Sequence, residues 1–201
     1  MSTPEFLRAR RHLSRRDEIM KAVVKAVGPC TLTANDDHFG VLARSIISQQ
    51  ISTKAAASIA ARLIETLGRR GLRPASILDL DDDTLRGVGL SANKQKSLRD
   101  LAARCQSKEV PLKDLPGMAD EDVIAALLPV RGIGRWTAEM FLMFSLGRRD
   151  VLPVADYGLR AGVMKSYGLP ELPTKAQLEE LGEPWRPFRS IATWYIWRSL
   201  S

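Results

Sequence analysis

Apolar residues recur at three- and four-residue intervals almost from end to end of this chain, and no convincing stretch alternates apolar with polar. Helices, not sheets, are what such a pattern can bury. Ile19, Met20, Val23, Val24 and Val27 follow Ser14, which reads as an N-cap with Asp17 three residues on, and Gly28-Pro29 ends the run. In 39–67, Leu42, Ile46, Ala55, Ile59, Leu63 and Leu67 lie mostly four apart, with Gly68 as the stop. The polar knot Ser48-Gln49-Gln50-Ile51-Ser52-Thr53 interrupts that apolar face, so two helices with a turn are expected. Further helical stretches are expected at about 76–86, 91–105, 120–129, 135–147, 156–167, 175–181 and 187–199. The fold class is all-α.

With 201 residues the chain can build one or two small domains. Thirty Lys and Arg against 23 Asp and Glu leave a net charge of +7, which suits a polyanion such as nucleic acid and equally serves plain solubility. Cys30 and Cys105 form no CxxC pair, which argues against a disulfide scaffold, a zinc site and a four-cysteine iron–sulfur cluster and favours a reducing cytoplasmic home. The opening run holds Arg8, Arg10, Arg11, Arg15 and Arg16 without the apolar segment of a secretory signal, and reads as a basic lead-in. No apolar stretch is long enough to span a bilayer.

Chemistry first surfaces at Leu127-Leu128-Pro129-Val130-Arg131-Gly132-Ile133-Gly134-Arg135-Trp136-Thr137-Ala138. An apolar helix ends, a Gly-x-Gly link follows, and another apolar helix starts at once. Glycine permits positive φ and leaves backbone N–H groups bare at the new N-terminus, which with the helix dipole attracts a phosphate. Arg131 and Arg135 add charge. Such a contact reads the backbone and not the bases. Gly87-Val88-Gly89 echoes the motif, with Lys94 and Lys96 behind it; duplication of a hairpin unit and mere similarity of two tight links both fit.

The stretch Gly132 to Leu142, followed by Arg149-Asp150-Val151-Leu152-Pro153-Val154-Ala155-Asp156, resembles the helix-hairpin-helix and Gly/Pro-Asp signature of DNA glycosylases. Ser48-Gln49-Gln50-Ile51-Ser52 and Trp185-Arg186-Pro187-Phe188-Arg189-Ser190 match the 3-methyladenine DNA glycosylase II branch. The resemblance runs from about residue 14 to 199. It implies two helical subdomains flanking a DNA cleft: a central one over 39–148 ending in the hairpin, and another joining 1–38 to 149–201. Arg131 stands where many superfamily members have proline, and Ala155 where some carry a second acid.

Asp156 precedes a helical run, and its plain structural use is as an N-cap. The resemblance makes it the catalytic carboxylate, and a helix N-terminus, which favours an anion, lets both roles coexist. Cleaving a purine from deoxyribose builds positive charge on the sugar, which a carboxylate can stabilise while it orients the attacking water. An alkylated purine is already cationic and leaves with little acid assistance. The base must first be flipped from the stack. By resemblance Gln50 fills the gap and Gln49 faces the pocket, while a polar capping turn is the plain alternative.

Trp136, Tyr157 and Trp197 are candidates for an aromatic pocket wall that would favour a cationic base; core packing is the other use of Trp197, as of Trp185 and Trp194. Arg131, Gly132, Gly134, Arg135 and Thr137 of the hairpin, with Gln50 and Lys94, are the expected DNA contacts. Trp136 occupies the position of the Schiff-base lysine of strand-nicking relatives, which implies a monofunctional hydrolase, since indole forms no imine. The family hairpin often holds a monovalent cation, here through the carbonyls of Leu128, Val130 and Ile133. No other cofactor or metal and no iron–sulfur cluster is implied. The expected partner is double-stranded DNA with alkylated bases, and a monomer is the default. The competing readings are a glycosylase of other base specificity and a non-catalytic DNA-binding module.

Overall fold

A computed structural model describes residues 4–200. In chain order its helices are α1 (Pro4–Arg16), α2 (Glu18–Val27), α3 (His38–Ser48), α4 (Thr53–Leu67), α5 (Pro74–Leu78), α6 (Asp82–Gly87), α7 (Ala92–Gln106), α8 (Asp120–Leu127), α9 (Arg135–Phe144), α10 (Tyr157–Tyr167), α11 (Lys175–Gly182) and α12 (Arg189–Arg198). No strand occurs among the described residues, so the fold is all-α as read. None of the described helices is long and apolar enough to cross a membrane.

Three sequence expectations are corrected. The basic lead-in is itself a helix, because Phe6, Ala9 and Leu13 fall on one face and are buried. Ser14 lies inside that helix; the cap of α2 is Asp17, which accepts from the Met20 N–H at 2.9 Å. The expected helix over 76–86 is two, because Asp81 caps α6 through the Thr84 N–H at 2.6 Å and so restarts the chain. The turn over 48–53 is present, with Ser52 capping α4.

The described residues fall into two compact units, one holding the chain up to Ala34 and from Gly147 onward, the other 35–146. The expected divisions were 38/39 and 148/149. In the first unit, α2, α10 and α12 pack mutually around Met20, Val24, Leu159, Val163, Ile191 and Tyr195. Asp17 does more than cap. It also accepts from Trp185 Nε1 at 3.0 Å and from the Tyr167 hydroxyl, tying α2 to the C-terminal part of the chain. Trp185 is wholly buried, and truncating such a side chain to alanine costs about 3–5 kcal/mol. At Gly162 a Cβ would collide with Ile196, so glycine is what lets α10 press directly onto α12. In the second unit, α3 packs against α4, α7 and α9, and Leu42, Ile46, Leu98, Leu101, Ala138 and Phe141 are buried there.

Candidate active site and nucleic-acid interface

Asp156 sits at the end of a loop whose shape is dictated from α12. The Asp150 carboxylate receives Arg189 Nε at 2.8 Å and Nη2 at 3.1 Å, a forked pairing, and Arg186 Nη1 at 2.8 Å. Arg189 Nη2 also donates to the Asp150 carbonyl at 2.6 Å. Ser190 Oγ accepts from the Val151 N–H at 3.0 Å, and the Ser190 N–H donates to the Arg149 carbonyl. Val151, Leu152 and Pro153 are then buried, and a turn in which the Asp156 N–H reaches the Pro153 carbonyl delivers the carboxylate to the start of α10. The tail motif Arg186-Pro187-Phe188-Arg189-Ser190 thus holds the loop that carries Asp156.

Asp156 is the N-cap of α10: its Oδ1 accepts from the Leu159 N–H at 2.6 Å. The same oxygen accepts from Trp197 Nε1 at 2.8 Å. Two donors on one oxygen fix the carboxylate's orientation. Trp197 reaches it because α12 lies so close to α10, and Gly158 leaves the room, since a Cβ there would stand 3.2 Å from Asp156 Oδ1 and 3.4 Å from the indole. Beside this pair Tyr157 is 71% exposed, so its ring is surface and not core. The structure therefore brings together Asp156, Tyr157 and Trp197. Asp150, Gly158, Arg186, Arg189 and Ser190 were not expected as site residues, although all but Gly158 lie inside the motifs that carried the resemblance.

The hairpin joins α8 to α9 in the second unit. Gly132 has φ +81 and an added Cβ would meet Ser97 Oγ at 3.0 Å, so both backbone and space demand glycine. Gly134 differs. It is the N-cap of α9 with φ −101, and a Cβ there meets nothing within 4 Å. No side chain caps that terminus, which leaves an approach to the first N–H groups of α9. Thr137 is only 5% exposed, so its hydroxyl is not a surface contact and only its backbone amide belongs to the terminus. Arg135 is engaged by a forked pairing with Glu121 at 2.5 and 3.0 Å and by Glu139 at 3.2 Å. The hydrogen bonds from Arg135 hold the Glu121 carboxyl below its ordinary range. The arginine's charge is thus largely compensated at home. Arg131 is exposed and its backbone N–H donates to Asp100 Oδ2 at 2.7 Å. Trp136 is 45% exposed.

Gln49 and Gln50 form the turn after α3. Gln49 Nε2 donates to the Gly132 carbonyl at 2.7 Å, so this side chain braces the hairpin. Gln50 is exposed with φ +58, an uncommon conformation for a residue other than glycine, and one that fits a residue presented outward. Lys94 is not a free surface cation: its Nζ donates to the Ile47 carbonyl at 2.6 Å, and desolvation lowers its pKa. Gln49, Gln50, Asn93, Lys94, Ser97 and Arg131 line a polar cavity of about 340 Å³. The echo motif is closed where the hairpin is open. Arg62 Nε donates to the Val88 carbonyl at 2.9 Å, and a Cβ on Gly89 would meet Arg62 and Ile59. Of the three carbonyls named for a cation, that of Val130 accepts the Ile133 N–H at 3.0 Å in the hairpin turn, and neutral carbonyl oxygens are a donor set that suits a monovalent ion. No group of three or more His, Cys, Asp or Glu able to hold a metal occurs among the described residues.

Residues 43–187, which include the hairpin, the Gln49-Gln50 turn and Asp156, match the family described as the HhH-GPD superfamily base excision DNA repair protein. The chain belongs to that family. Among HhH-GPD relatives it is 33% identical over 199 residues to the alkylbase DNA glycosidase-like protein mag2 of Schizosaccharomyces pombe, covering 96% of this chain and 93% of the other. It is 37% identical over 194 residues to the DNA-3-methyladenine glycosylase 1 of the same yeast, covering 94% and 85%. The solved complex of that yeast's 3-methyladenine DNA glycosylase, Mag1, with abasic DNA superposes with a TM-score of 0.83 at 36% identity, covering 96% of both chains. This HhH-GPD chain therefore shares both sequence and fold with its relatives over nearly its whole length.

Proposed function

We propose that this chain is a monofunctional DNA glycosylase that removes alkylated purines, 3-methyladenine and with it 7-methylguanine, from duplex DNA in base excision repair and leaves an abasic site. The observation that carries the reading is the Asp156 carboxylate, oriented by Leu159 and Trp197 on a braced loop beside the exposed Tyr157 ring, in a member of a base excision repair family. The names of the alkylbase glycosidase-like and 3-methyladenine glycosylase relatives support the substrate class.

In this reading the uncapped N-terminus of α9, with Gly132, Gly134 and Arg131, grips backbone phosphate, and Gln50 fills the gap left by the flipped base. The C1′–N bond breaks with its electron pair passing to the departing base, whose positive charge is thereby neutralised. Asp156 stabilises the cationic sugar and orients the water that adds to C1′, and the water's proton passes to the carboxylate. Tyr157 and Trp197 offer aromatic faces to a cationic base, worth roughly 0.5–2 kcal/mol per good contact. Trp136 stands in the position of the lyase lysine, and indole supplies no amine for an imine. A monovalent cation on the Leu128, Val130 and Ile133 carbonyls would add positive charge near the gripped phosphate.

Incubation with plasmid treated with a methylating agent tests the proposal. Release of free methylated purine with abasic sites left in intact strands is expected. A mobility shift without base release would leave a DNA-binding module instead.

A further inference from the structure

The arginine run that reads in sequence as a lead-in forms a surface of its own on α1. Arg8, Arg11 and Arg15 lie three and four residues apart on one face of α1, with Arg16 beside them, and all four are exposed. None of the four joins an ion pair among the described residues. The one acid of α1, Glu5, is held by Arg149 at 2.9 and 3.0 Å, so nothing on the helix offsets them. Arg10, by contrast, is half-buried and turned inward.

These side chains do not project from a flat wall. Arg8, Arg11, His12, Arg15, Arg16 and Phe188 line a concave site of about 690 Å³. His12 ties its two sides together: Nε2 lies 3.2 Å from the Pro184 carbonyl, and the ring stands edge-on to Phe188 at 5.4 Å. Arg8 to Arg15 spans roughly 10 Å of helix at 1.5 Å per residue. Over that length one strand of a duplex presents about three phosphates. Guanidinium forks match phosphate oxygens, and four uncompensated ones in a single concavity are costly in self-repulsion unless an anion is taken there.

We propose that this arginine-lined concavity is a second duplex-backbone site, separate from the hairpin, which holds phosphates of DNA without reading sequence. The choice of DNA over other polyanions rests on the proposed glycosylase reading; the anionic, multiply phosphorylated character of the ligand rests on α1 alone.

Two measurements on undamaged duplex test it, so that base release plays no part in the outcome. In the triple variant R8Q/R11Q/R15Q, affinity at low salt should fall at least tenfold for every sequence. The slope of log K against log salt should flatten by about 2–3, since each phosphate no longer neutralised removes roughly 0.9. The parent protein alone supplies the second readout: phenylglyoxal modification of Arg8, Arg11 and Arg15, mapped by mass spectrometry, with duplex or with inorganic phosphate at matched ionic strength. Protection by duplex and not by inorganic phosphate supports the site. Equal protection by both would make it a small-anion site and overturn the proposal, as would labelling unaffected by either, or a triple variant with the parent's affinity and slope. A parent that binds duplex through α1 yet releases no base from separately supplied methylated duplex would instead overturn the glycosylase reading and leave this one standing.

Discussion

Replacing Asp150 with alanine separates the bracing of the loop that carries Asp156 from the proposed chemistry. The substitution removes four hydrogen bonds to the carboxylate, two of them the fork from Arg189 and one from Arg186, and spares the bond from Arg189 to the Asp150 carbonyl. Arg189 is 16% exposed, Asp150 31% and Arg186 46%, so the cluster lies between a surface pair and a buried one. Orphaning one partner of a buried pair costs about 3–5 kcal/mol and losing an exposed pair at most about 1. The structure therefore points to about 2–3 kcal/mol. For a chain of this length that lowers Tm by roughly 4–12 °C. Thermal unfolding by circular dichroism measures it. Because the braced loop delivers Asp156, and a misplacement of about 1 Å can cost a hundredfold, single-turnover base release should fall about tenfold or more while duplex affinity holds. A variant with unchanged Tm would refute the energetic estimate. A lowered Tm with a parental single-turnover rate would show that the clamp supports the fold but does not position Asp156.

The two hairpin glycines should part company. Gly132→Val, strained by φ +81 and crowded by Ser97, should weaken damaged and undamaged duplex alike and lower Tm, whereas Gly134→Ala should keep the parent Tm; loss confined to lesion-bearing DNA would move Gly132 into the base pocket. Borohydride should trap no protein–DNA adduct on denaturing gels, and strands should break only after alkali; a trapped adduct would point to an amine that takes the lyase role despite Trp136. Burial raises the Tyr195 hydroxyl to about 12 and the Tyr167 hydroxyl further, so above about pH 10 the unfolded chain releases those protons first. Stability is whole below that pH and should decline as pH rises through it, less steeply in Tyr195→Phe; denaturant midpoints from pH 8 to 11 measure the slope, and an equal slope in that variant would contradict the assignment.

What the sequence made legible follows from periodicity and from short motifs. Apolar positions three and four apart gave the helices of the 35–146 unit apart from the break between α5 and α6, and the glycine-flanked link gave the hairpin. The first helix escaped because five arginines and a histidine outnumber the three apolar residues, Phe6, Ala9 and Leu13, that it buries. The two acids at 81 and 82 looked like helix interior, yet Asp81 starts a new helix by taking a backbone N–H. At the site, Asp156 was legible as a helix cap, and its Oδ1 does cap α10. The bracing by Asp150, Arg186 and Arg189 was not legible, because ion pairs between residues nearly forty apart leave no local pattern. Nor was the occupation of Arg135 by Glu121 or of Lys94 by the Ile47 carbonyl, for a basic residue beside a glycine link looks the same whether it faces phosphate or carboxylate.

Single-turnover release of 3-methyladenine from methylated duplex by the parent and by Asp156→Asn shows whether Asp156 carries the excision of alkylated purines. The amide keeps an oxygen to accept from Leu159 and Trp197, so fold and duplex affinity should persist while the charge is lost. That role requires the parent to release the base and the variant to do so at least about a hundredfold more slowly, with matching Tm and Kd. A variant that excises near the parent rate would contradict it.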